Sequence, residues 1–500
     1  MGTASSLSLA PLNYFFINFI TFTLFFLFLI KKSDLNKNKS LFFIYGWLFG
    51  FGYFSTNLYW ISISLTFDQN FKFLIPLTIF LIPFFLGTFY GLVSYIFIIL
   101  KPKNLVSSLL VFSLIFGIVE FIRGTILTGF PWNLIVYSLT SQLEILSITS
   151  IIGTYGLNLI CITFFTSPVI LILKKTKKDT GIFIFFLIII SIFYFYGHFY
   201  KERFYKSDKK IYQYKVRTIG SNISLDRFYL ETDTISIVND LIKLSNPNDS
   251  EKTIFVWPEG ILQNISEKDY DKYKTLFIEN FSANHFVIIG TNNHSIIEGN
   301  KEYFNSLSIY DNEFNLLEIY NKNNLVPFGE FLPIKNVLEK IGLKTLTNNY
   351  NSFSKGNKRE IIEIKKNKFS LKILPLICYE IIYTGRLFED SKFDIIINIS
   401  EDGWFGNSFG PKQHFDHSIL RAIESGKYVV RSSNNGIAAI INPLGIIEQS
   451  VSFDQSGYID LNEKREIQPT IFSVYGNKIF GLLILMYIFI IFSFNKIKNE

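Results

Sequence analysis

The chain has 500 residues, a formal net charge of +7 and 49% hydrophobic residues, with 55 Phe and 27 Tyr among them. Only two cysteines in this length exclude a disulfide-stapled scaffold. The positive excess is concentrated in short lysine clusters beside apolar stretches, so it gives no footprint for a nucleic-acid partner.

A bilayer crossing needs about 20 largely apolar residues. Stretches of that kind fall at 12–30, 41–64, 74–100, 106–122, 151–173 and 181–199, and again at 472–494. Between 205 and 470 short β-rich apolar runs alternate with Asn- and Lys-rich polar segments, the pattern of a water-soluble α/β domain. The predicted layout is a helical membrane region over 1–204 with six spans, a soluble domain over 205–470, and a last span with a short tail over 471–500. The opening "MGTASSLSLAPL" lacks a basic n-region and a cleavage signature, so the first span reads as an uncleaved anchor.

Lysine placement predicts the orientation. Lys31, Lys32, Lys37 and Lys39 follow the first span, and Lys101 and Lys103 the third. Lys174, Lys175, Lys177 and Lys178 follow the fifth, and Lys496 and Lys498 the last. The alternate loops are poor in positive charge, so the basic loops face the cytoplasm and the 205–470 domain lies outside. Glu120 and Arg123, three apart at a span end, read as an interfacial ion pair.

Three apolar strands in the soluble domain hand over to loops bearing reactive side chains, the usual place for chemistry. "TIFVWPEG" (253–260) is broken by Pro258 with Glu259 just past the strand end, and "LEIYNKNNLVPFGEFLP" (317–333) carries Lys322 and Glu330. "FSLKILPLICYE" (369–380) ends at Cys378, the single thiol of this domain, followed by Tyr379 and Glu380. A thiol attacks only as thiolate and needs a base or a nearby cation. A buried Glu with a raised pKa can take that proton, and a Lys can hold the oxyanion that follows. Histidine is the rival base. His414 opens a predicted helix, "HFDHSILRAIESGK", where it can cap the end or face solvent. The same "QHFDH" could be half a metal site, but spacing offers no third ligand, so no metal is assigned. From the residues alone, Glu259 and His414 both stand as candidate bases.

The order Glu in "WPEG", Lys in "YNK" and Cys in "CYE" resembles the Glu-Lys-Cys triad of the nitrilase superfamily. "NKNNLVPFGEFLP", "ICYEII", "WFGNSFGPKQH", "RAIESGKYVVRSSNNGIAAI" and the membrane-region "EFIRGTILTGFPWNL" (120–134) further resemble the apolipoprotein N-acyltransferases, membrane-embedded members of that superfamily. The resemblance implies a nitrilase-like α-β-β-α sandwich inserted before the last transmembrane helix of an α-helical membrane bundle. It implies Glu259 as general base, Lys322 as oxyanion stabiliser and Cys378 as nucleophile. Glu330, Tyr379 and Glu380 match supporting positions, and Trp404 in "WFG" a wall of the site. No cofactor is implied. The implied reaction moves an acyl chain from a phosphatidylethanolamine-like phospholipid, through a Cys thioester, to the amino group of a diacylglyceryl-modified apolipoprotein. The implied location is the bacterial inner membrane, with the catalytic domain on the periplasmic side. A membrane-anchored amidase or nitrilase, or a non-catalytic lipid- or lipoprotein-binding scaffold, are the alternatives.

The chain departs from the family pattern at Asn324 (usually His), Glu401 and Gly403 (usually Asn and Ala), Lys412 (often aromatic) and Phe228 (usually Trp). The family has eight spans, against seven here. "TGFPWNL" and "LVPFGEFLP" read as a lipid entry and a mobile lid, or, for the first, as an aromatic belt at the membrane interface.

Overall fold

The computed structural model describes residues 1–173, 177–228, 233–263, 267–333, 352–385, 387 and 392–496. Lys174, Lys175 and Lys498 lie outside the described residues.

Long apolar runs fold as helices because only a helix pairs every backbone donor within one segment. Helices occupy Ile17–Leu35, Ser40–Leu58, Ile75–Leu100, Leu105–Arg123, Thr149–Thr166, Lys177–Lys206 and Lys478–Lys496. Among the described residues, four stretches are long and apolar enough to cross a membrane: Gln69–Leu100, Leu105–Arg123, Thr149–Leu173 and Asp179–Lys206. Lys478–Phe494 is a shorter apolar helix. The expected 41–64 span stops as an α-helix at Leu58 and continues as a 3-10 turn, Tyr59–Thr66. Leu105–Arg123 is the central helix, buried along most of its length, and Asn104 caps it by accepting from the Val106 N–H at 3.0 Å. Phe22, Phe25, Phe26, Phe49, Phe112 and Phe116 interlock around it; Phe25 stacks on Phe49 at 4.3 Å between ring centres.

The strands are β1 (Lys209–Ser221), β2 (Thr253–Val256), β3 (Leu262–Gln263), β4 (His285–Ile297), β5 (Asn300–Asp311), β6 (Leu316–Asn321), β7 (Ile362–Lys366), β8 (Phe369–Ile377), β9 (Ile395–Glu401), β10 (Tyr428–Asn434), β11 (Ala438–Ile441), β12 (Ile447–Val451) and β13 (Gly457–Arg465). The main path runs β6-β5-β4-β2-β1-β10-β9-β8-β7. Only two residue pairs, Gly220 with Ser433 and Ser221 with Asn434, join β1 to β10. The sheet folds over at that narrow seam, so Tyr214 of β1 lies 4.4 Å from Phe369 of β8, ring centre to ring centre. The outer face of the first half packs Ile219, Phe255, Trp257, Val287 and Ile289 against the helices Thr234–Ser245 and Glu267–Asn280. The helix Gly410–Ser425 covers the second half, which completes an α-β-β-α layering.

β1, β2 and β4 run parallel, as do β1, β10, β9 and β8. Two antiparallel steps, β4 to β5 and β5 to β6, restore the direction in β6. The C-terminal ends of β2, β6, β8 and β9 therefore open on one edge, which is where Glu259, Lys322, Cys378 and Glu401 fall.

The helix Gly410–Ser425 also fastens the domain to the membrane helices. Gln413 Oε1 accepts from Trp132 Nε1 at 3.0 Å, Asp416 Oδ2 from Thr140 Oγ1 at 2.8 Å, and His417 Nδ1 lies 2.7 Å from the Tyr137 hydroxyl. Trp132 is thus sealed in the junction at 1% exposed, so "TGFPWNL" is no interfacial aromatic belt. Glu120 and Arg123 do pair, but buried rather than at an interface, and Arg123 also donates to the Phe130 and Trp132 carbonyls. Those carbonyls lie in a non-helical loop, where the guanidinium satisfies acceptors that water would otherwise take.

At the far end of the same helix Glu424 Oε1 accepts from the Thr154 N–H (2.7 Å), the Thr154 hydroxyl (2.6 Å) and the Thr384 hydroxyl (2.6 Å), and Arg421 Nε lies 2.9 Å from Glu424 Oε2. Removing one member of a buried, paired set costs about 3–5 kcal/mol because the rest stay buried without it. Glu424→Ala should lower the midpoint of thermal unfolding in detergent by several degrees; an unchanged midpoint would show that the junction does not depend on this carboxylate.

Candidate active site

Lys322 follows β6 and is 1% exposed. Its backbone N–H donates to the Asn305 carbonyl at 2.8 Å, which fixes where its side chain starts. Its Nζ lies 2.8 Å from Glu330 Oε1 and 3.4 Å from Glu259 Oε1. Asn305 Nδ2 donates at 2.7 Å to the same oxygen of each carboxylate. One ammonium and one amide thus hold two buried carboxylates together, and the Glu401 N–H takes the remaining oxygen of Glu259 at 2.9 Å.

Electrostatics follow from that crowding. Burial opposes the charge on Lys322, but Glu330 and Glu259 outweigh it and keep the ammonium protonated well above the ordinary lysine value. Burial pushes the Glu259 carboxyl up; Lys322 opposes this and Glu330 adds to it. Burial and then the Glu259 charge push the Cys378 thiol well up, with Lys322 pulling the other way and Ser400 hydrogen-bonded to the side chain. At rest the site holds a neutral thiol, a fixed cation and a carboxylate with raised proton affinity.

Cys378 is 7% exposed, at the turn from β8 into the 3-10 segment Cys378–Ile382, with φ of 47°. Left-handed backbone is strained for a residue with a Cβ and persists only where neighbours enforce it. Glu380, fully buried, is one such neighbour. Its Oε2 accepts from the Ile377 N–H at 2.9 Å. Its Oε1 accepts from the Tyr320 hydroxyl (2.7 Å), the Asn323 and Asn324 N–H groups (both 3.0 Å) and Arg359. Glu380 thus ties the turn of Cys378 to the loop after Lys322, and it makes that tie from the core. Asn324 contributes its backbone N–H to that carboxylate and accepts from Arg359 through its side chain at 3.1 Å.

Tyr379 donates to the Gly129 carbonyl at 3.0 Å and Tyr383 to the Thr128 carbonyl at 2.9 Å, so the turn bearing Cys378 rests on the loop between two membrane-region helices. Glu330 Oε2 accepts from the Val326 N–H at 2.8 Å, which pins the 325–333 loop to the carboxylate cluster. Trp404 is half-buried, 5.1 Å from Phe228 and 5.9 Å from Phe67 of the membrane region, ring centre to ring centre. Glu401 accepts from Arg227 and from Asn434 Nδ2 at 2.7 Å, so this departure brings its own buried counter-charge.

His414 corrects an expectation. The helix begins at Gly410 with Pro411 in its first turn, so His414 lies a full turn inside, 0% exposed. It neither caps nor faces solvent. Nδ1 lies 2.9 Å from Asp402 Oδ1 and Nε2 lies 3.2 Å from the carbonyl oxygen of Cys378. Burial and Arg431 lower its pKa against the pull of Asp402. Among the described residues no three His, Cys, Asp or Glu side chains gather as metal ligands. Asn305, Arg359, Asp402 and Arg431 were not singled out by the sequence reading. The signal for Arg431 was available, a charge inside the all-buried strand "YVVRSSN".

This sheet with its strand-end Glu, Lys and Cys is a carbon–nitrogen hydrolase domain, and the family model of that description matches residues 257–463. A second family model, the apolipoprotein N-acyltransferase N-terminal domain, matches residues 1–167. The chain is 32% identical to an apolipoprotein N-acyltransferase of Rickettsia prowazekii, over 100% of this chain and 98% of that one. It is 30% identical to one of Rhodopseudomonas palustris, over 95% and 90%. Among solved structures, Saccharomyces cerevisiae Nit3 of the nitrilase superfamily superposes with a TM-score of 0.35 and 16% identity, over 50% of this chain and 90% of that one. The chain belongs to the apolipoprotein N-acyltransferase family, and with its long apolar helices it is a membrane protein.

Gly290 of β4 passes directly behind the base candidate. A Cβ there would lie 2.4 Å from Glu259 Cα and 2.5 Å from the Pro258 oxygen, both backbone atoms that cannot swing aside. A displacement near 1 Å costs a reaction about 100-fold. Gly290→Ala should therefore slow acyl-adduct formation on Cys378 by about that factor in a protein that still elutes as folded; a normal rate would mean that Glu259 tolerates the shift.

Proposed function

We propose that Cys378, Glu259 and Lys322 carry out a two-step acyl transfer from a membrane phospholipid to the N-terminal amine of a diacylglyceryl-modified lipoprotein. Glu259 takes the Sγ proton, and the thiolate attacks an ester carbonyl carbon. Lys322, held protonated by two carboxylates, faces the oxyanion of the tetrahedral intermediate. The C–O bond breaks, the proton on Glu259 passes to the leaving alkoxide, and a lysophospholipid departs, leaving a thioester. In the second step the lipoprotein amine attacks that thioester and gives its proton to Glu259. The C–S bond breaks, and the thiolate recovers the proton while the amide leaves. A covalent intermediate lets two bulky lipids use one site in turn.

The observation that carries this reading is the placement of the nucleophile. The turn bearing Cys378 is hydrogen-bonded through Tyr379 and Tyr383 to a loop of the membrane region, and Phe67 of that region meets Trp404. A site walled by membrane-embedded segments suits two bilayer-borne substrates. Glu330 serves as the counter-charge that fixes Lys322, Tyr379 and Glu380 hold the turn, and Trp404 lines the acyl path.

Phospholipid incubation should leave an acyl adduct on Cys378 by intact-protein mass spectrometry. Cys378→Ala should abolish it, and Cys161→Ala should not. Glu259→Gln keeps the size, loses the base and should reduce thioester formation by about 100-fold or more. Burial raises the Glu259 pKa, so the base is lost to protonation as pH falls through a value above the ordinary glutamate range. The acid limb of acyl-enzyme formation should therefore lie above that range. An adduct surviving in Cys378→Ala would move the nucleophile elsewhere.

The placement that goes with this reaction is the bacterial inner membrane, and the lysine asymmetry supports residues 205–470 on the periplasmic side with 471–500 returning to the cytoplasm. Cysteines introduced beside Asp68 or within 205–470 should react with an impermeant maleimide added outside. Those beside Lys37, Lys101 or Lys177 should stay unlabelled until the membrane is breached; the reverse pattern would invert the orientation.

A further inference from the structure

The left-handed turn of Cys378 needs something to hold it, and Glu380 supports only the segment around it. The Cys378 carbonyl oxygen itself meets His414 Nε2 at 3.2 Å, deep in the junction between the catalytic domain and the membrane helices. Every side of that imidazole is occupied. Nδ1 lies 2.9 Å from Asp402 Oδ1 and 3.1 Å from Arg431 NH2. Asp402 is itself held by Arg431 NH2 (2.7 and 3.0 Å), Ser400 Oγ (2.7 Å) and Ser433 Oγ (3.2 Å). Trp132, from the membrane region, stacks on the ring at 5.4 Å with planes 21° apart, and Phe405 meets it edge-on at 5.5 Å.

Two protonation forms place a hydrogen on Nε2. A neutral ring carrying it accepts at Nδ1 from Arg431 NH2, which also donates to Asp402 and so offsets the carboxylate oxygen facing the same nitrogen. A charged ring donates from Nδ1 to Asp402. In both, Nε2 carries the hydrogen that the Cys378 carbonyl accepts. The remaining neutral form donates from Nδ1 to Asp402 but sets a lone pair against the carbonyl oxygen and leaves that acceptor without its donor.

We propose that His414 is a positioning residue for the nucleophile. Its Nε2–H holds the strained backbone of Cys378, and its own orientation is set on one side by Asp402 and Arg431 and on the other by the Trp132 ring. Because Trp132 Nε1 is bonded to Gln413, the neighbour of His414 on the helix, seating of the membrane loop and the aim of the nucleophile are one arrangement. The inference goes beyond the acyl-transfer reading and rests on its assignment of Cys378 as nucleophile.

Side-chain length gives the test. Glutamine places an amide N–H2 where Nε2 stands, whereas asparagine reaches only to the level of Nδ1 and leaves the Cys378 carbonyl without its donor. In full-length protein in detergent, with a short-chain phospholipid as donor, kcat for acyl-adduct formation on Cys378 should fall by about tenfold more in His414→Asn than in His414→Gln, the range expected for one lost hydrogen bond. KM should be alike in the two, and the acid limb of the pH profile should stay where it is in the unaltered protein, since the base is untouched. Trp132→Leu should lower kcat in the same manner, with the acid limb likewise unmoved. Equal rates in His414→Asn and His414→Gln would overturn the proposal, whether both are active, both dead or both unfolded. Loss of the acid limb in His414→Gln would make His414 the base and overturn it as well. An unaltered protein that forms no adduct on Cys378 would instead refute the acyl-transfer reading, a result separable from either.

Discussion

A buried ammonium between two buried carboxylates is the constraint on which this site turns. Lys322 has almost no access to water, so its charge persists only because Glu330 and Glu259 surround it. Burial raises the proton affinity of Glu259, with Glu330 adding to it against the pull of Lys322, and Asn305 keeps the carboxylates in register by donating to both. A fixed cation, a basic carboxylate and a neutral thiol are consequences of one cluster rather than three separately tuned groups. Such a cluster can be assembled only where several strands end together, which is what the parallel run of β2, β6, β8 and β9 supplies.

The second constraint is the junction. The helix Gly410–Ser425 is buried along most of its length, and its Gln413, Asp416 and Glu424 bond to the membrane region rather than to water. Buried polar groups are costly unless paired, so a helix with this many of them specifies one docking geometry. The catalytic domain is therefore not a soluble enzyme tethered to a bilayer. The turn bearing Cys378 rests on the 124–134 loop, and Trp404 meets Phe67 of the membrane region.

The placement of the candidate residues was legible before the fold. Glu259 and Cys378 follow strongly apolar strands and Lys322 a mixed one, and reactive groups at strand ends follow from local pattern and chemistry alone. The roles assigned to individual neighbours were less legible. Glu380 stands two residues after Cys378 in sequence, yet it is a core hub whose partners come from residues 320, 323, 324, 359 and 377. His414 read as a helix-end residue that could cap or face solvent, because its partners, Asp402, Arg431 and the Cys378 carbonyl, lie on three other elements. Glu120 and Arg123 were correctly paired by their spacing, but their burial depended on a loop folding back onto them.

The sequence by itself determined which segments are apolar enough to leave water, where strands give way to loops, and which three side chain types are available for thiol chemistry. Those properties depend on composition and on periods of a few residues, so they are written locally. Only the tertiary structure decided that Asn305 would join Glu259 to Glu330, that Trp132 would stack on His414, and that His414 would meet a carbonyl of Cys378. Each of these is a contact between residues far apart in the chain. What selects them is the demand that every buried polar atom find a partner once the sheet has folded at its two-pair seam and docked on the membrane helices, a demand that no single segment carries in its own sequence.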